Sequence, residues 1–89
     1  MVFTFHNDPA HGWLEVTASD LDLLGFKPAD FSKYSYVDHH CGTPHYFLEE
    51  DCDATKFIVA WQRHHGRDIV AQERYSDRES FVRRLPRIK

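Results

Sequence analysis

Two clusters of side chains in this sequence have the types and spacing to do chemistry. The first is Asp38-His39-His40-Cys41 with His45, which gathers imidazole and thiolate donors into one loop; His6, His11, His64 and His65 complete a set of seven histidines. A transition metal requires such donors to converge at about 2.0–2.3 Å. The Cys-x₃-His spacing is not a zinc half-site, no second cysteine-rich half follows, and neighbouring side chains point apart. The loop therefore reads as solvated, and no metal or other cofactor is expected. Cys41 and His45 could in principle form a nucleophile and base, but no third group is placed to orient them. A bridge between Cys41 and Cys52 is disfavoured by their separate loops.

The second cluster is Glu49-Glu50-Asp51-Cys52-Asp53. Four carboxylates could hold Mg²⁺, which prefers oxygen ligands, yet a nuclease collects its acids from several strands and these are contiguous. Acids before a helix also satisfy the helix dipole. Asp53 and Asp51 are expected to cap that helix. Glu49 and Glu50 have no such duty, so the run Glu49, Glu50, Asp51 and Asp53 is the candidate partner-binding surface. Opposite in sign is the tail, where Arg78, Arg83, Arg84 and Arg87 could contact nucleic acid or an acidic protein. A sequence pI near 6.1 is low for a nucleic-acid module. No glycine-rich phosphate loop, dinucleotide fingerprint or His-Glu-x-x-His motif is present, and no catalytic residue is assigned.

Charge is divided along the chain. Residues 1–60 carry three basic against ten acidic side chains, a net of −7, and residues 61–89 carry eight against four, a net of +4. Together they give the overall −3. Such segregation raises the odds of a charge-guided partner.

The elements that must position these groups follow from periodicity. Residues 2–6 alternate and are rich in β-formers, Asn7 to Gly12 is turn chemistry, and Trp13 to Val16 returns as a second strand. Thr17, with Asp20 three positions on, is an N-cap for a short helix bearing Leu21 and Leu24, stopped at Gly25. Residues 33–37 and 45–49 form a second hairpin. Phe57, Ala60, Trp61 and His64 recur at helical spacing, so residues 54–65 form the main helix, ended by Gly66. Its apolar stripe predicts Phe57 and Trp61 packed on Phe3 or Phe5 and Leu48. Residues 68–75 read as a further strand, and 80–85 as a last strand or docked tail. The expectation is an α+β fold: a mostly antiparallel sheet of four to six strands with one main and one short helix on one face. At 89 residues it is a single domain, with a basic, loosely docked tail over 76–89. Its thirteen aromatic residues (seven Phe, four Tyr, two Trp) bury much area for a short chain. No segment is an apolar run of membrane length, the start lacks a secretory pattern, and two cysteines suit a reducing compartment. The cytoplasm is expected.

Phe5 to Val16, Tyr34-Ser35-Tyr36, and Tyr46 to Ala54 together resemble a group of small uncharacterised proteins carried on bacterial phages, prophages and plasmids. The resemblance covers most of the chain, to the end of the main helix. It implies a bacterial or viral intracellular setting and an accessory role, and it transfers no catalytic residue. Three function classes follow. The first is a non-enzymatic protein-interaction module, such as an inhibitor of a host defence or metabolic complex acting through its acidic surface. The others are a nucleic-acid-binding accessory protein and a small metal-dependent enzyme.

Overall fold

The computed structural model describes residues 2–39 and 42–89. In chain order the elements are β1 (Phe3–Asn7), β2 (Gly12–Thr17), α1 (Ala18–Leu23), β3 (Tyr36–Asp38), β4 (His45–Glu49), α2 (Asp53–His65) and β5 (Ala71–Tyr75). Single 3-10 turns lie at Pro28–Asp30 and Phe81–Arg84. The strands form one sheet in the order β3-β4-β2-β1-β5. All pairings are antiparallel except β1 with β5, which run parallel. The fold is thus α+β with a mostly antiparallel sheet.

Alternation along each strand divides the sheet's side chains between two faces. Phe3, Leu14, Val16, Val37, Tyr46 and Leu48 face α1 and α2, where they meet Leu21, Phe57 and Trp61. Phe3 stands edge-on to Phe57 at 5.7 Å and to Trp61 at 5.9 Å between ring centroids, so the stripe read on the main helix is its buried face. Ala54 joins that stripe, while His64 is exposed. Gly66 ends the helix with φ +68°, a left-handed value that glycine adopts without a Cβ penalty, and its N–H donates to the Gln62 carbonyl. Thr17 caps α1 as expected: its hydroxyl accepts from the Asp20 N–H at 3.2 Å, and the Asp20 carboxylate accepts from the Thr17 N–H at 2.9 Å.

The other face of the sheet is covered in part by the chain's last turn. Val82 is fully buried there against Trp13 and Phe47, with Tyr36 and Leu85 at the margin. The tail is therefore docked on the sheet through a buried side chain. It then continues along the β3 edge, where Pro86 accepts from the Val37 N–H, the Ile88 N–H donates to Ser35, and Tyr36 bridges Arg87. The third strand is shorter than read: residues 33 and 34 form a turn and the ladder begins at Tyr36.

Candidate functional site

A cavity of about 420 Å³ opens beside this second core. Trp13 of β2 and Tyr36 of β3 stand edge to face at 6.0 Å between ring centroids. Tyr34, more than half exposed, extends the aromatic wall. Glu49 lies at the end of β4 directly opposite Trp13 in register, and Asp51 and Cys52 follow in the turn to α2. The tail contributes Arg83 and Arg87, and the β1–β2 turn contributes His11. Two residues of the acidic run and two of the arginine tail, distant in sequence, therefore line one cavity, whereas Glu50, Asp53, Arg78 and Arg84 are not part of its lining.

Each charged wall is held by structure. Asp8, in the β1–β2 turn, first closes that turn by accepting from the Ala10 and His11 N–H groups, each at 3.0 Å. The same carboxylate then takes a two-pronged bond from Arg83, with Nε at 2.7 Å and Nη2 at 3.0 Å, and a further one from the Ser80 N–H at 2.9 Å. The guanidinium, above all, holds the Asp8 carboxyl well below the usual carboxylate range, with the backbone donors assisting against burial. Reciprocally, Asp8 raises the pKa of Arg83. Thus anchored, the Arg83 guanidinium lies 5.4 Å from the Trp13 ring centre. Arg87 lies 5.7 Å from the Tyr36 ring and donates Nη1 to the Lys33 carbonyl at 3.0 Å. Both are cation–π placements.

On the acidic side the four residues of the run part company. Glu49 turns its carboxylate back to accept from the Asp51 N–H at 3.0 Å and the Cys52 N–H at 3.4 Å. Glu50 and Asp51 are exposed. Asp53 is not at the surface: it is 2% exposed and accepts from the Ser32 N–H at 2.9 Å, the Ser32 hydroxyl at 2.8 Å and the Ser35 hydroxyl. It fastens the loop before β3 to the start of α2. Nor does it cap the helix by its side chain. The N-cap position is Cys52, which makes no side-chain capping bond. As partner-binding candidates, Glu50 and Asp51 remain open to solvent, Glu49 does so in part, and Asp53 does not. In the tail, Arg83 is tied internally, whereas Arg78, Arg84 and Arg87 are exposed.

One buried donor at this site has no acceptor. Trp13 is 2% exposed, and its indole Nε1 is the one buried side-chain polar atom left without a hydrogen bond among the described residues. Buried polar groups are nearly always paired; Trp13 lines the cavity, but this nitrogen is itself closed to solvent.

Sequence reasoning missed a second polar constellation. Glu15 on β2 accepts from both flanking strands' histidines: His6 Nε2 at 2.8 Å from Oε1 and His45 Nδ1 at 2.6 Å from Oε2. The His6 bond, followed by that of His45, lowers the Glu15 pKa in spite of partial burial. His6, Glu15 and His45 occupy the same sheet face, and His6 packs against Phe47 and Phe81. The signal available in sequence was the alternation itself, which puts all three on the face opposite Phe5, Leu14 and Tyr46. Among the described residues no group of three or more His, Cys, Asp or Glu side chains is placed to hold a metal ion. His40 and Cys41 lie outside the described residues, and with them the histidine-loop metal site, the Cys41–His45 pair and the Cys41–Cys52 bridge. No described helix is long and apolar enough to cross a membrane. Comparison with family models, with curated proteins and with solved structures finds no match for this chain.

Proposed function

We propose that this protein is a non-enzymatic binding module that engages a protein partner through the cavity between the β4–α2 turn and the arginine-bearing tail. One observation carries the reading. The acidic strand end and the basic tail, each a candidate on sequence grounds, both line a single aromatic-walled cavity. Its volume falls in the range of about 300–1,000 Å³ typical of ligand sites. Two of its charged groups are committed to holding the fold, Glu49 to its own turn and Arg83 to Asp8. That favours recognition over proton or group transfer, which requires titrating groups left free for the reaction. The exposed Asp51 on the lining, with the exposed Glu50 beside it in sequence, supplies the acidic surface through which a basic partner would be steered. An accessory role on a mobile genetic element, in the cytoplasm and directed at a host complex, is part of the proposal and rests on the sequence resemblance.

Asp51→Lys combined with Tyr34→Ala tests it, because both side chains are exposed and neither makes a hydrogen bond that supports the fold. Wild-type and variant proteins are used side by side to capture partners from bacterial lysate. The expected outcome is a near-unchanged melting temperature with one stoichiometric protein lost from the variant. Equal capture by a folded variant would remove the cavity from the interface.

A further inference from the structure

We propose that the outer edge of β5 receives an extended segment of a partner protein as an added antiparallel strand, and that this segment carries an acidic residue followed directly by a basic one. No residue of β5 lines the cavity, so this is a second surface, independent of the first. Its hydrogen-bonding groups follow from the ladder. The Phe3 N–H donates to the Val70 carbonyl and the Ser76 N–H to the Asn7 carbonyl, each at 2.9 Å, and between them the pairs run from Phe3 with Ala71 to Asn7 with Tyr75. In a parallel pair, alternate residues of a strand turn both N–H and C=O toward the neighbour. Gln72 and Arg74 therefore face β1, whereas the N–H and C=O groups of Ala71, Glu73 and Tyr75 face outward, with no strand beyond them among the described residues. Such a row is a template for a further strand.

The charges select which strand. All of β5 is exposed, and Glu73 and Arg74 make no ion pair among the described residues, unlike Arg83 with Asp8. Glu73 stands on the sheet face of Phe5 and Arg74 on that of His6. A second copy is a poor occupant. The antiparallel register that overlaps two β5 strands in full centres on Glu73 and sets it against the same residue of the other copy, which is destabilising. Setting Glu73 against Arg74 of another copy would require Arg74 to turn its backbone outward, and that backbone faces β1. A foreign strand is free of this conflict. It offers a basic side chain opposite Glu73 and an acidic one opposite Arg74; running antiparallel, the more stable direction per residue, it reads acidic then basic. Tyr75, 60% exposed, gives the residue opposite it an apolar surface to cover. The same two charges thus reject a copy and attract a partner.

The probe is the acetylated and amidated peptide Val-Glu-Lys-Thr-Val, compared with Val-Lys-Glu-Thr-Val, in which the charges are exchanged. The readout is nitrogen-15 NMR with amide hydrogen exchange. The first peptide should shift the Ala71, Glu73 and Tyr75 amides saturably and slow their exchange, while the Gln72 and Arg74 amides, already turned to β1, keep their rates. The second should bind about fivefold more weakly or worse, since two cross-strand pairs change from opposite to like charge. Glu73→Lys with Arg74→Glu should reverse the preference at a near-unchanged melting temperature, both side chains being exposed. If that variant does not fold, the two peptides on the wild-type protein decide alone. The proposal is overturned if no saturable change appears at the three amides by about 10 mM peptide, if the two peptides bind equally, or if protection falls on Gln72 and Arg74 instead. Protection of the three amides that rises with protein concentration without peptide would give the edge to a second copy and overturn it as well.

Discussion

Asp8 shows how much one short side chain can organise. It closes the β1–β2 turn, takes Arg83 from the far end of the chain, and receives Ser80, all with its side chain 1% exposed. A carboxylate in a turn sequence announces the first role, since Asp bonds its own backbone two or three residues on. Nothing in the sequence announces the second, because the partner is 75 positions away. Asp8→Asn keeps the shape but sets an amide donor against donors. Removing one partner of a buried pair costs about 3 kcal/mol or more, and at neutral pH the variant should melt correspondingly lower. Because the folded-state pKa is depressed, the stabilisation is complete above the ordinary carboxylate pKa of about 4 and is lost only as pH falls through the folded value. The gap between wild type and variant should therefore persist at pH 4 and close only in stronger acid, as thermal melts at stepped pH will show. A gap that closes by pH 5 would mean the pair is not formed in solution.

Among the elements, those built on local pattern were legible in the sequence and those built on closure were not. The helix over 53–65, the capped short helix and the first hairpin each carry periodicity, caps or turn residues within a few positions. The parallel pairing of β5 with β1 has no local signature: all five residues of β5 are exposed, so neither alternation nor burial marks which strand they join. Asp53 misled for a related reason. An acid at a helix start looks like a cap, and only the fold reveals Ser32 and Ser35 placed to bury it. Gly12 also has a tertiary purpose. A Cβ there would lie 2.5 Å and 2.7 Å from two atoms of the Phe5 ring and 3.2 Å from the Glu50 carboxylate. Gly12→Ala must push that ring into the first core, and overpacking of this kind costs about 1–3 kcal/mol. Denaturant titration should find a lower midpoint with an unchanged slope. A midpoint equal to wild type would show that Phe5 has room to move.

At the scale of the whole molecule, the charge asymmetry read from sequence resolves into an arrangement. Two acids of the first part, Glu49 and Asp51, and two arginines of the last, Arg83 and Arg87, are brought to the lining of one cavity. The cavity itself was not legible, since its lining comes from four separated segments and its walls are set by the tail's path across the sheet. That path has a further result. The sheet has two margins, and they are unequal: β3 is stitched to residues 86–88 by two backbone hydrogen bonds, whereas β5 ends the sheet at the other side with no strand beyond it among the described residues. Strand-by-strand growth into a fibre needs two free margins on every copy, and this molecule offers one. Adjacent charges on β5, Glu73 and Arg74, discourage pairing even there. Glu73→Val with Arg74→Val removes that guard, and light scattering after size-exclusion chromatography should then find dimers, without the rising dye fluorescence of fibrils. Fibrils would mean that the tail's seal on β3 opens readily. With the seal in place, self-association through strands is a reaction that terminates at two.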